Sequence, residues 1–503
     1  MGTAVPKEGR MNPWDRAEIR ERVKPWVLDG YLTEYQREAW TWSSARAGSF
    51  LWWACGAGKT LGALLWLVSH SRKTRKVVVT KAATKRQWKA QAAQYTDMQM
   101  LVLDGQGGMD IPQGTECIVI SWETVMHWYP YILAWKGMHH LVIVWDEIHK
   151  GKAWKRKEKI LDEDGDIQWV WLENRAAYTA KLSRIANARL GLTATPIRDR
   201  RRDLWAQLDL IEPEKHGTNW SWVHRFCAAK QGEYGGIDTT GESNCAQLKQ
   251  ILSRRVHAVS YAEMARSLPP KRRQLVYLSP SEQTKPTAFR DTLKRAAKMG
   301  KQHLFEANLS VAASTKRKWI ADSVMSCVEA GQKVTVFTGR RKDCDALAKL
   351  IKTRVKKLGA PVWHGHGGDS VKYRGEQVAQ YATAQGAGVF VGTTDAFGEA
   401  IDGLQHTDAV YFAMLPWTPG QVTQAEGRFS RHGSDRPVLL TYVVSEGTVD
   451  EHVADVLLEK LEGVSGVTGD DDATALAGTL AGDGHEDEIM DSILGLAEMA
   501  GSL

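Results

Sequence analysis

With 503 residues, 43% of them hydrophobic and 25% charged, the chain has the length for two or more domains and an ordinary folded composition, which excludes a disordered or fibrous protein. No apolar run approaches the length of a membrane span, the N-terminal stretch lacks the apolar core of a signal peptide, and the six cysteines form no C-x-x-C pair, so no membrane, secretory leader, zinc site or disulfide framework is expected and the chain reads as cytoplasmic. The net charge is +7, yet ten acids and no lysine or arginine follow Lys460, so the first 460 residues carry +17, a charge that attracts a polyanion such as nucleic acid.

Residues 1–30 read as an N-terminal extension. Apolar β-rich runs then alternate with helical patterns. They fall at 49–54, 76–80, 116–121, 140–146 and 189–195, and again at 333–339, 388–394, 409–414 and 437–444. Continuous apolar strands separated by helices predict parallel sheets covered by helices on both faces. The Pro-and-basic stretch "LPPKRR" (268–273) separates the two groups, which predicts an α/β chain with domains at 31–267 and 268–462. An Asp-Gly turn signal inside 159–173 predicts an inserted hairpin. The remainder, 463–503, is an acidic, Gly- and Ala-rich tail. Ile489, Ile493, Leu496 and Met490, Leu494, Ala497 at helical spacing predict a short amphipathic helix at its end.

Two stretches carry phosphoryl chemistry. "CGAGKT" (55–60) follows a strand and opens a helix, so the backbone N–H groups of Gly56, Ala57 and Gly58 and the helix N-terminus can cradle phosphates. Lys59 would reach the β/γ-phosphates and Thr60 would hold Mg²⁺. The strict eight-residue pattern wants glycine at position 53, where this chain has Trp53. "VIVWDEIHK" (142–150) ends a strand in two carboxylates. Asp146 can hold the Mg²⁺ of a nucleoside triphosphate, directly or through water, and Glu147 can orient and deprotonate the attacking water.

In that order, these motifs resemble those of superfamily 2 nucleic-acid motors, and within them the SNF2 family, over roughly residues 30–460. The resemblance implies two tandem RecA-like domains with an ATP cleft between them. "LTEYQREAW" (32–40) resembles the adenine-reading segment, with Gln36 as reader. "VVVTKAATKRQW" (77–88) and "ISWETV" (120–125) resemble strand-tracking motifs, which implies nucleic-acid contacts at Thr80, Trp88 and Ser121. "LTATP" (192–196) resembles the segment that couples ATP to motion, through Thr193, Ala194 and Thr195. Thr338 and Gly339 resemble the strand contact of the second domain, and "VGTTDAFGEAIDGL" (391–404) resembles motif V, with Thr393 as a contact. Motif V departs from the family at Asp402, where an asparagine is usual. "PWTPGQVTQAEGRFSRHG" (416–433) resembles motif VI, which implies catalytic roles for Gln424 and for Arg428 and Arg431 as arginine fingers on the γ-phosphate.

Residues 227–252, "LPPKRR" and "VVSEGTVDEHV" (443–453) resemble the compact HARP-type annealing-helicase branch. The expectation is therefore an ATP- and Mg²⁺-dependent translocase on double-stranded or forked DNA, in a bacterial or phage-infected cell. The alternatives are a duplex-unwinding DNA or RNA helicase and an ATP-gated binding protein that recruits without moving. The basic run 150–159 tracks phosphates or is a solvated loop. The tail competes with DNA for a basic groove, docks its amphipathic end on a protein partner or on the motor, or serves solubility.

Overall fold

The nine apolar runs all form strands. In a computed structural model of the chain the described residues are 12–151, 157–161, 167–171, 174–194, 196–197, 201–231, 237–239, 241–260, 263–264, 269–279, 301–398, 403–430, 434, 436–468 and 476. The chain divides into two compact units, Met1–Val259 and Ser260–Leu503, so the division falls a few residues before the Pro-and-basic stretch.

The first unit is built on seven strands: β1 (Gly48–Trp53), β2 (Arg75–Thr80), β3 (Met100–Val102), β4 (Cys117–Ser121), β5 (Leu141–Asp146), β8 (Ala188–Thr193) and β11 (Val256–Val259). Their order is β11-β1-β8-β5-β2-β4-β3, and every pairing is parallel. β2, β4 and β5 are buried along almost their whole length, which is why their sequences read as unbroken apolar runs. Helix Lys59–Val68 is buried at every position from Leu61 on, as a helix apolar all round must be. Outside this sheet, β6 (Lys157–Leu161) and β7 (Ile167–Trp171) form the antiparallel hairpin that the Asp-Gly signal predicts. Its turn lies outside the described residues. A second short hairpin joins β9 (Lys230–Gln231) and β10 (Ile237–Asp238).

The second unit carries β12 (Lys271–Leu278), β13 (Lys333–Thr338), β14 (Val362–Gly365), β15 (Gly388–Thr393), β16 (Ala409–Phe412) and β17 (Val438–Ser445), in the order β12-β17-β16-β13-β15-β14, again all parallel. Successive residues pack on opposite faces. Phe337, Phe390, Val410, Phe412 and Tyr442 enter one core, whereas Val336, Val389, Tyr411 and Val443 enter the other with Ile320 and Leu347. The stretch read as a break turns out to start a strand: Lys271 opens β12, paired to Val438 of β17. Three successive bases hide a strand from a hydrophobicity pattern, and an edge position tolerates them.

Two of those bases are needed inside. The Glu426 side chain, at the end of helix Pro419–Glu426, is fully buried. It accepts from Lys271 Nζ at 2.8 Å, from Arg273 Nε at 2.7 Å and Nη2 at 2.6 Å, and from the Tyr442 hydroxyl. Burial alone would push this carboxyl up, but Lys271 and Arg273 outweigh it and hold the group down at about 2. Glu426→Gln removes the buried negative charge beside two nearly buried cations and should cost about 3–5 kcal/mol at neutral pH. Because the folded carboxyl titrates below its ordinary 4.5, this stability is present above that value and fades as pH falls toward 2. Urea denaturation at a series of pH values should show the two proteins separated at pH 7 and converging in acid.

Candidate active site

The site of the first unit lies where three adjacent strands end. β1 and β8 are neighbours, with Trp52 opposite Thr193, and β8 and β5 are neighbours, with Leu192 opposite Asp146. The turn after β1, the segment after β8 and the acids after β5 therefore share one carboxyl-terminal edge, the usual ligand edge of a parallel sheet. Between β1 and helix Lys59–Val68 the backbone turns through Gly56 (φ 86°) and Gly58 (φ 79°), in the left-handed region that glycine enters without steric cost. A Cβ on Gly58 would stand 2.5 Å from Gln36 Nε2. Gln36 is buried and held at both ends of its amide: Nε2 donates to Ala57 O at 3.2 Å, and Oε1 accepts from the Thr33 N–H at 3.1 Å. The Tyr35 hydroxyl donates to the same Ala57 carbonyl at 3.0 Å. Lys59 Nζ bends back over the turn and donates to Trp53 O at 2.9 Å and Ala54 O at 3.1 Å. Thr60 follows in the first helical turn, half-buried.

Trp53 explains why the strict glycine is dispensable. It is still a strand residue, paired with Val259, and it is fully buried. Its Nε1 lies 3.1 Å from His257 Nδ1, and its ring lies over Gly62, where a Cβ would be 3.0 Å away. The indole points into the core, and the phosphate-facing surface is left to backbone from Ala54 onward.

Asp146 ends β5 and is anchored by donors from two other segments. Its Oδ2 accepts from Thr80 Oγ1 at 2.6 Å and from Trp88 Nε1 at 3.0 Å. Its backbone carbonyl accepts from Trp122 Nε1 at 2.8 Å. Burial and the neighbouring Glu147 charge push the Asp146 carboxyl up, against the pull of those two donors. Glu147 sits at φ 52°, a left-handed conformation costly for a non-glycine residue and found preferentially at functional sites. Lys81 Nζ lies 3.6 Å from Glu147 Oε1, and His149 Nδ1 lies 3.4 Å from Glu147 Oε2. His149 Nδ1 is also 3.1 Å from Thr193 Oγ1, so the acidic strand end and the β8 end are joined by one imidazole. Glycine-turn amides, a lysine, a threonine hydroxyl and two carboxylates are the hard donor set that a nucleoside triphosphate and its Mg²⁺ require.

In the second unit Thr338 and Thr393 are register partners at the ends of β13 and β15, both almost fully buried. A Cβ on Gly339 would collide with the Met414 sulfur, so a larger residue here would require that side chain to move. Gln424 is buried within helix Pro419–Glu426. Arg428 follows that helix, half-buried, and its Nε donates to Gly398 O at 3.1 Å.

The SNF2-related domain matches residues 35–335, more than half of the chain. The chain belongs to the SNF2-related family. The helicase conserved C-terminal domain matches residues 315–433. Relatives include the SWI/SNF-related matrix-associated actin-dependent regulator of chromatin subfamily A-like protein 1 of Drosophila melanogaster, 26% identical over 64% of this chain and 43% of that protein. Its homolog in Caenorhabditis elegans is 23% identical over 87% of this chain and 62% of that protein. The DNA annealing helicase and endonuclease ZRANB3 of Homo sapiens is 28% identical over 55% of this chain and 26% of that protein. The chain thus spans from about a quarter to about three-fifths of the length of these relatives. Among solved structures, the Sulfolobus solfataricus SWI2/SNF2 ATPase core in complex with dsDNA aligns over 91% of this chain and 96% of that one, at 17% identity and a TM-score of 0.39.

For this SNF2-related chain the nucleotide-side residues Gln36, Gly56, Ala57, Gly58 and Lys59 are brought together, as are Asp146, Glu147 and Thr193. The residues expected on a nucleic-acid strand have their side chains turned inward, which leaves only their main chain for such a contact. Thr80, Trp88, Ser121, Thr338 and Thr393 are each no more than 4% exposed, so their side chains serve the interior. Thr80 and Trp88 face Asp146, and Ser121 Oγ lies 3.1 Å from Thr124 Oγ1. Gln424 is likewise inward. Ala194 is half-exposed after β8. Thr195, Asp402, Arg431 and the predicted amphipathic helix at the end of the tail lie outside the described residues. Lys81 and His149 join the site without having been singled out in the sequence. The signal for His149 was its place in "DEIH" (146–149), which resembles the D-E-x-H pattern of the family.

Proposed function

We propose that the chain is an ATP-dependent DNA translocase acting on double-stranded or forked DNA, with strand annealing or fork remodelling as its output. The observation that carries this reading is the convergence of the glycine turn, Asp146 and Glu147 on one sheet edge of an SNF2-related chain. The turn amides and Lys59 would bind the triphosphate. Thr60 and Asp146 would hold Mg²⁺, which when bound neutralises phosphate charge. Glu147 would orient the attacking water and accept its proton, with Lys81 and His149 fixing its carboxylate. Arg428 and Arg431 would supply the charge that stabilises the transferred phosphoryl. The +17 of residues 1–460 would hold the DNA, and the names of the relatives support annealing as an output. The six free cysteines support a cytoplasmic place; a bacterial or phage-infected cell is proposed as the host.

Displacement of a third strand from a blunt duplex tests movement. The proposal expects ATP-dependent displacement by the full chain, abolished in Lys59→Ala. Displacement only of a strand from a tailed duplex would point to unwinding instead. ATP affinity that responds to DNA with no displacement of either kind would point to a recruitment protein.

The acidic tail, 464–503, is proposed to compete with DNA phosphates for the basic body. Its removal should tighten DNA binding at low salt, with the gain shrinking as the Debye length falls to about 8 Å at physiological ionic strength. Fluorescence anisotropy across a salt series checks it. Equal affinities throughout would leave the amphipathic end as a docking element for a protein partner, or the tail as an aid to solubility.

A further inference from the structure

The two side chains that hold Asp146 come from the segment whose motif resembles a strand-tracking one. Thr80 is the last residue of β2, and Trp88 lies on helix Lys85–Tyr95. Thr80 is fully buried and Trp88 is 2% exposed, so neither hydroxyl nor indole is available to a base or a phosphate. Both spend their polar hydrogen on one oxygen, Oδ2 of Asp146, at 2.6 and 3.0 Å. An indole N–H can only donate, so Trp88 holds the carboxylate with one fixed polarity. Trp122 meanwhile fixes the backbone carbonyl of the same residue. With Oδ2 tied by two donors and the main chain tied by a third, the rotation of the carboxylate is set, and Oδ1 is the oxygen these donors leave for another ligand.

We infer that Thr80 and Trp88 are positioning residues for the Asp146 carboxylate, and that they set the divalent-cation affinity of the nucleotide site without touching nucleic acid. This rests on the reading of Asp146 as a Mg²⁺ ligand. Groups that orient a metal ligand in this way change metal affinity by about 10–100-fold when removed.

The test replaces donors while keeping shape. Trp88→Phe keeps a large ring and deletes the N–H, Thr80→Val deletes the hydroxyl at constant volume, and Thr80→Ser keeps it. Mn²⁺ binding to the full chain in the presence of ADP is read from the loss of the free Mn²⁺ paramagnetic resonance signal. ADP affinity without metal, duplex-DNA affinity and thermal unfolding are measured beside it. Trp88→Phe and Thr80→Val should each weaken Mn²⁺ binding about 10-fold or more, with metal-free ADP and DNA affinities unchanged, and Thr80→Ser should bind Mn²⁺ as the unaltered chain does. Unchanged Mn²⁺ affinity in Thr80→Val and Trp88→Phe overturns the inference, as does lowered DNA affinity at unchanged Mn²⁺ affinity, which would restore the strand-contact role. Asp146→Asn separates the two levels. If it weakens Mn²⁺ binding while the Thr80 and Trp88 variants do not, only the positioning role fails. If Asp146→Asn itself binds Mn²⁺ normally, the metal assignment fails and takes the inference with it.

Discussion

Glu147→Gln should bind ATP with the affinity of the unaltered chain and hydrolyse it about 100- to 10,000-fold more slowly, the usual contribution of a positioned general base. The carboxylate is the only difference between the two side chains. It stands at a strained backbone position between Lys81 at 3.6 Å and His149 at 3.4 Å, so the substitution removes a proton acceptor from a fixed place. Lys59→Ala should fail the opposite way. Its ammonium is poised over the glycine turn on two backbone carbonyls, and its loss weakens nucleotide binding before any chemistry begins. Equilibrium binding of a fluorescent ATP analogue, together with steady-state hydrolysis in saturating duplex DNA, separates the two variants. Turnover within a few-fold of normal in Glu147→Gln would remove Glu147 from the mechanism.

Arg428→Ala and Arg431→Ala should each lower kcat by about a thousandfold or more while KM for ATP changes much less, because a guanidinium at the transferred phosphoryl acts mainly on transition-state charge. Lysine should not restore the rate at either position, since an ammonium lacks the planar fork. Arg428 is held near the end of its helix by Gly398 O, so Arg428→Lys also loses an orienting hydrogen bond. Normal hydrolysis by both alanine variants in the presence of DNA would reduce the pair to a basic surface.

Much of the architecture could be read from sequence because inner parallel strands are apolar on both faces. The nine runs that became strands include every inner strand of both sheets. Edges escaped: β12 begins with three bases, and β3 is three residues long. The glycine turn and the acidic strand end were readable because phosphate chemistry demands particular residues in a particular order. The inward turn of the side chains in the strand-tracking motifs was not readable, because a motif carries the place of a residue along the chain but not the side its side chain takes. For Trp88 a helical pattern was available: Lys85, Trp88 and Ala92 fall three and four apart, and all three are buried. Thr338 and Thr393 gave no such sign. Their burial follows from β13 and β15 lying side by side within the sheet, a pairing of strands far apart in sequence.

Under the proposed function this site is an engine driven by DNA. Its most direct test is the ATPase rate of the full chain with single-stranded DNA, blunt duplex, forked duplex and duplex RNA of equal length at matched salt. Strong stimulation by duplex or forked DNA, weak stimulation by RNA, and none in Glu147→Gln is the predicted pattern. A rate that none of the four nucleic acids changes, or one that RNA raises as far as duplex DNA does, would contradict it.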